Sequence, residues 1–179
     1  MINTNIKILL IEDNEADKIL IERQIKKIVS SPQIIHSKNF DDIKLQLEIS
    51  NPDIILCDYQ LKGFTGLEVL NYLKASKIII PFIFVTGTIN NEELAANSIL
   101  TGASGYILKK NINALHLKLL PYFNSIITLK EVITIQSKHK EVIYEIQEHL
   151  ETLLLGNSIV RSNYLDMKKT LDTLKYRKK

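Results

Sequence analysis

Three acids, a threonine and a lysine each stand directly behind a short apolar run in this chain. Glu12 and Asp13 follow the run 6–11, Asp58 follows 53–57, Thr86 follows 82–85, and Lys109 follows 106–108. Carboxylates that converge on one place repel one another unless a cation shares it. A hard divalent ion such as Mg²⁺, held by a few carboxylates and waters, relieves that repulsion. Asp58 is then available to attack a phosphoryl group and form an acyl phosphate. The cation and the Lys109 ammonium would offset charge on the transferring oxygens. The Thr86 hydroxyl has a proton to donate to one of them.

Each residue taken alone has a plainer explanation. Glu12 and Asp13 suit the first turn of a helix, where acids complement the macrodipole. Asp58 could cap a loop, Thr86 could belong to a turn, and Lys109 could be a surface lysine. The chemical reading depends on whether the elements carrying these residues deliver them to one place.

The elements give that result. Runs rich in Ile and Val alternate with amphipathic stretches: a strand over 6–11, a helix capped by Asn14, a weaker strand at Ile34 and Ile35, and a helix after Asn39. A third strand covers 53–57. A loop marked by Gly63 and Gly66 leads to a helix bearing Leu67, Val69, Leu70 and Leu73. A strand over 82–85, a helix over 91–100 stopped by Gly102, and a short strand over 106–108 complete the series. Strands without polar alternation are buried on both faces, which predicts a parallel sheet with helices on each side. Right-handed crossovers leave a flavodoxin-like, doubly wound α/β fold as the compact solution for five strands. Ligands of such sheets lie outside the carboxyl ends of the strands. All five residues fall there.

Composition is compatible with this. The chain has 179 residues, enough for one ordinary domain and an addition; 45% are hydrophobic and 24% charged, which supports a packed core. A net charge of +3, with acids and bases intermixed, does not point to nucleic acid, and the basic cluster 175–179 reads as a solvated chain end. The single cysteine, Cys57, lies in an apolar run and reads as a core residue in a reducing compartment. No apolar run has the length of a membrane span, so no membrane role and a cytoplasmic location are expected.

With these residues in place the chain resembles the response regulator receiver family over about residues 5 to 127. The resemblance is carried by Ile8-Leu9-Leu10-Ile11-Glu12-Asp13-Asn14, Asp53-Ile54-Ile55-Leu56-Cys57-Asp58, Gly66-Leu67-Glu68-Val69-Leu70, Phe84-Val85-Thr86-Gly87 and Gly102-Ala103-Ser104-Gly105-Tyr106-Ile107-Leu108-Lys109. It implies a phosphoacceptor signalling protein, limited to slow self-phosphorylation and autodephosphorylation, that receives its phosphoryl group from a histidine kinase or a phosphotransfer protein. It implies Asp58 as phosphoacceptor, and Mg²⁺ held by Glu12, Asp13, Asp58 and the backbone carbonyl of Gln60. It also implies Thr86 and Lys109 as phosphoryl contacts, and Thr86 and Tyr106 as the switch pair. The chain departs from the family pattern at Lys62, Gly87-Thr88 and Lys110, where Pro, a small Ala with a varied residue, and Pro are usual. Those departures bear on phosphate lifetime. A degenerate receiver acting as a constitutive interaction module is the competing class.

Residues 128–179 fall outside the resemblance. Pro121 suits the first turn of a helix. Leu129, Val132, Ile143, Ile146, Leu150 and Leu153 recur at spacings of three and four, interrupted by Gln136 and His139. Gly156-Asn157-Ser158 reads as a turn. Val160, Tyr164, Met167, Leu171 and Leu174 then form a second stripe with heptad spacing. A helical dimerisation or partner-docking element, giving a homodimer, is the preferred reading. A DNA-binding output lacks a helix with clustered Arg, Asn and Gln, Arg161 standing nearly alone. A histidine phosphotransfer hairpin would need His139 or His149 as acceptor.

Overall fold

A computed structural model of the chain describes residues 1–87, 92–154 and 164–170, which divide between two compact units, Met1–Ile127 and Thr128–Lys179. Thr88, Asn91, the turn expected at Gly156-Asn157-Ser158, Val160, Arg161, Leu171, Leu174 and the tail 175–179 lie outside the described residues, as does the side chain of Leu153.

In the first unit five parallel strands form one sheet. They are β1 (Lys7–Ile11), β2 (Gln33–Ser37), β3 (Ile54–Cys57), β6 (Phe82–Thr86) and β7 (Gly105–Leu108), in the order β2-β1-β3-β6-β7. The strands read as unbroken apolar runs because successive residues serve opposite layers. Ile8, Leu10, Ile54, Leu56, Ile83 and Val85 pack with Ile21, Ile25, Leu115, Leu119 and Phe123. Leu9, Ile11, Ile55, Cys57, Phe82 and Phe84 pack with Ile43, Leu47, Val69, Leu70 and Leu73. Helix α1 (Glu15–Ile25) and, as far as Ile127, helix α5 (Leu115–Leu154) therefore cover one face, and α2 (Phe40–Ser50) and α3 (Gly66–Ala75) the other. Helix α4 (Glu92–Leu100) precedes β7. This is the doubly wound, flavodoxin-like arrangement expected from the alternation.

Local chemistry sets the helix starts. Asn14 caps α1 by accepting from the Ala16 and Asp17 amides, and Asn39 caps α2 through the Asp42 amide. Helix α3 begins with a capping box in which Thr65 and Glu68 satisfy each other's backbone amides. Gly66 opens that helix against the sheet: a Cβ there would lie 2.5 Å from the Asp58 carbonyl oxygen and 2.8 Å from the Phe84 ring.

Two features differ from expectation. The loop after Asp58 holds a small antiparallel pair, β4 (Gln60–Leu61) and β5 (Phe64–Thr65), turning through Gly63 at φ 86°. Two-residue strands are too short to leave a periodic signal. Pro121 is not in a first turn: α5 begins at Leu115, after a 3₁₀ turn over Lys109–Ala114, and Pro121 lies inside it. Its ring removes the hydrogen bond that Leu117 would accept. Leu117 is exposed, so the orphaned carbonyl lies on the solvent side, where the cost of the proline is least. Among the described residues no helix is long and apolar enough to cross a membrane.

Candidate functional site

The register of the sheet assembles the site. Ile11 pairs with Cys57 and Cys57 with Phe84, while Thr86 pairs with Leu108. Glu12 and Asp58 therefore leave the sheet at one level, Thr86 closes β6 one residue further on, and Lys109 follows β7 two residues further on, at the same edge. Asp13, Asn14, Asp17, Asp58, Gln60, Thr86, Gly87 and Lys109 line one open cavity of about 310 Å³.

Lys109 is the centre of charge. Its ammonium donates to Glu12 at 2.6 Å, Asp17 at 2.8 Å and Asp58 at 2.8 Å, with only 8% of its side chain exposed. Burial disfavours the charged amine. Hydrogen bonds to Asp17, Asp58 and Glu12, together with the charge of Asp58, outweigh burial and hold the lysine above its usual pKa. Lys109 is accordingly a fixed cation at neutral pH. Glu12 is buried and also accepts from the Asn14 amide. Burial, reinforced by the charge of Asp58, raises its pKa above the ordinary glutamate value, although the Lys109 and Asn14 contacts oppose the shift.

The other expected residues occupy the same neighbourhood in different ways. Asp58 Oδ1 accepts from the Gln60 amide at 3.4 Å. Asp13 accepts from the Lys62 amide at 3.2 Å. Thr86 is fully buried, and Tyr106 is partly buried with its ring 6.0 Å from that of Phe84. Burial, the neighbouring Tyr59 and Asp58 raise the Tyr106 pKa. Cys57 is buried, its thiol pushed well up by desolvation, and its Sγ turns to the Asp58 carbonyl. It is a core residue.

Sequence reasoning overlooked Asp17. Among the described residues, the carboxylates of Glu12, Asp17 and Asp58 bring one oxygen each within 4.8 Å of one another. A signal was present. Counting from the Asn14 cap, Asp17 is the third helical residue, and side chains there tilt back over the helix start, toward the strand ends. The donor set fits a hard divalent cation: carboxylates, with the Gln60 segment beside them.

A family model for the response regulator receiver domain matches residues 8–120. The chain belongs to that family. As a receiver it is a signalling module of two-component systems. It is 31% identical over 106 residues to the nitrate/nitrite response regulator protein NarL of Escherichia coli K12, a match covering 57% of this chain and 47% of NarL. The chain thus spans about half the length of the curated relatives it matches. Two solved receivers of similar fold are each 26% identical. The phosphorylated cyanobacterial phytochrome response regulator RcpA has a TM-score of 0.58, over 66% of this chain and 91% of that one. The Mn²⁺-bound response regulator Rcp1 has a TM-score of 0.54, over 65% and 90%.

Proposed function

We propose that this receiver takes a phosphoryl group onto Asp58 from a histidine kinase or a phosphotransfer protein, with Mg²⁺ bound beside it. The observation that carries the reading is the 2.8 Å contact between Asp58 and Lys109 in a cavity that Asp13, Gln60 and Thr86 also line. Asp13, Asp58 and Gln60, with Glu12 and Asp17 behind them, are the groups that would hold the ion. When bound, Mg²⁺ supplies positive charge to the phosphoryl oxygens.

The chain's own residues account for the rest. An Asp58 carboxylate oxygen attacks phosphorus and forms the new P–O bond. The P–N bond to the donor histidine breaks, and its electron pair returns to the imidazole. Lys109 keeps its proton throughout and neutralises a phosphoryl oxygen, releasing one of its carboxylate contacts to do so. Thr86 donates its hydroxyl to another oxygen. Its movement gives Tyr106 room to turn inward, which changes the face formed by α4 and β7. Phosphate must bind the turned state better for this to act as a switch.

Residues 1–127 are the receiver in this reading, and 128–179 form a helical docking element that makes a homodimer. The site has the residues of a working acceptor, which favours a switch over a constitutive module. A cytoplasmic location accords with the buried free thiol of Cys57. Label transfer from a phosphorylated kinase core, in Mg²⁺ and then in chelator, tests the proposal. Metal-dependent transfer supports it, and equal labelling under both conditions refutes it.

A further inference from the structure

The part of α5 beyond residue 127 carries an apolar seam that, among the described residues of its unit, stays about half exposed. Leu129, Gln136, Ile143 and Leu150 are seven residues apart, and Val132, His139, Ile146 and Leu153 form a second set three residues on. This is a heptad repeat sustained over more than three heptads, with a period of 3.5 rather than 3.6, the mark of a supercoiled partner helix. Leu129, Val132, Ile143, Ile146 and Leu150 are each between 42% and 58% exposed, and Ile133, Ile135 and Val142 extend the surface on its flanks, also about half exposed. The helix 164–170 does not cover the seam. Its Tyr164 and Lys168 reach Glu151, which stands at an outer position of the heptad.

We infer that this seam is a parallel, in-register, two-stranded coiled coil with a second copy of the chain, its register fixed by Gln136 and His139. The inference rests on the homodimer proposed above and specifies its surface and orientation.

Three observations favour a second copy. The seam is self-complementary in layers. In register, apolar layers 129, 132, 143, 146 and 150 each meet themselves, and the two polar layers meet each other's equivalents. Gln136 can then exchange amide hydrogen bonds with its counterpart, and an imidazole pair at 139 can share one proton donor and one acceptor. Polar residues at such positions fix register because any slip buries them against apolar side chains. The antiparallel alternative that also matches polar with polar sets Gln136 against His139. Leu150 would then face Ser125, on the stretch of α5 that packs into the receiver core at Phe123 and Ile126, so an apolar layer would be lost.

Charge agrees. Glu131, Lys138, Glu141, Glu145 and Glu148 occupy outer positions, and Lys140 is the one fixed charge on the flanks between 129 and 150. In register, Lys140 lies against Ile135 of the other copy, which its methylene stem can cover. Eight half-exposed aliphatic side chains exceed the apolar patch of a few hundred Å² usual on a monomer. Doubled by symmetry, they approach the roughly 1,200 Å² at which stable interfaces begin.

The test uses the full chain carrying single cysteines, with Cys57 buried and unreactive. Gln136→Cys, His139→Cys and Ser137→Cys are oxidised with copper phenanthroline, and the parent chain is sedimented at about the same concentrations. Gln136→Cys should cross-link to itself roughly tenfold faster than Ser137→Cys, because only facing positions bring thiols within disulfide reach. A dimer in which Gln136→Cys links to His139→Cys and not to itself overturns the orientation. A dimer in which neither links overturns the seam while leaving the homodimer reading intact. A monomer overturns both, and means that the chain's own last residues cover the seam. Ile143→Glu should abolish the dimer without changing the receiver's response to Mg²⁺.

Discussion

At the residue scale, replacing Lys109 with methionine leaves Glu12, Asp17 and Asp58 facing one another with no cation. In metal-free buffer at pH 7 the variant should lose on the order of 3 kcal/mol, the usual result of removing one partner from a buried ion pair. The pH dependence has a definite sign. Lys109 has a folded pKa above its unfolded value near 10.5. Its contribution is complete below the unfolded pKa and is lost as pH rises through the folded one. The gap between wild type and Lys109→Met, measured by urea unfolding, should therefore narrow only above about pH 10.5. A constant gap from pH 7 to 11 would mean that the ammonium charge is not what holds the site together. Mg²⁺ should act oppositely to the mutation. At about a hundred times its dissociation constant it should add about 2.7 kcal/mol by mass action. Asp13→Ala should lose most of that gain, and an unchanged titration would remove Asp13 from the ligand set.

At the element scale, Gly66 links α3 to the end of β3 at Asp58 without contributing a functional group. Gly66→Ala pushes a methyl against the Asp58 backbone, a contact with little room to yield. The variant should lose about 1–3 kcal/mol, as overpacked sites do, and should also take up phosphate more slowly. Normal stability with normal uptake would show that the strand end tolerates displacement. The sequence revealed most of this scaffold because the strands are buried on both faces. Ile and Val runs at 6–11, 53–57 and 82–85 have no polar alternation to confuse, and the Asn14 and Asn39 caps precede their helices directly. Glu12, Asp58, Thr86 and Lys109 were legible because each ends a strand or immediately follows one. Asp17 escaped because it arrives by helix geometry, four residues past a carboxylate that already seemed sufficient. The β4–β5 pair and the true start of α5 escaped for other reasons: the pair is shorter than any period, and Pro121 imitates a helix start while lying within a helix.

At the scale of the whole molecule, the first unit closes its own core, with Leu119, Phe123 and Ile126 of α5 buried in it. A chain ending at Ile127 should unfold cooperatively and respond to Mg²⁺ as the full chain does. Phe123→Ala should destabilise both by about 3–5 kcal/mol, since it opens a cavity in the layer under α1 and α5. If only the full chain responds to Mg²⁺, residues 128–179 are needed to complete the receiver.

The proposed switch stands or falls with Asp58 as the phosphoacceptor. Intact-mass spectrometry of the full chain after incubation with acetyl phosphate and Mg²⁺, followed by peptide mapping, tests it most directly. One phosphoryl adduct is expected, located on the peptide containing Asp58, labile to hydroxylamine and absent from Asp58→Asn. An adduct of equal yield in Asp58→Asn, or none in the wild-type chain with Mg²⁺ present, would contradict it.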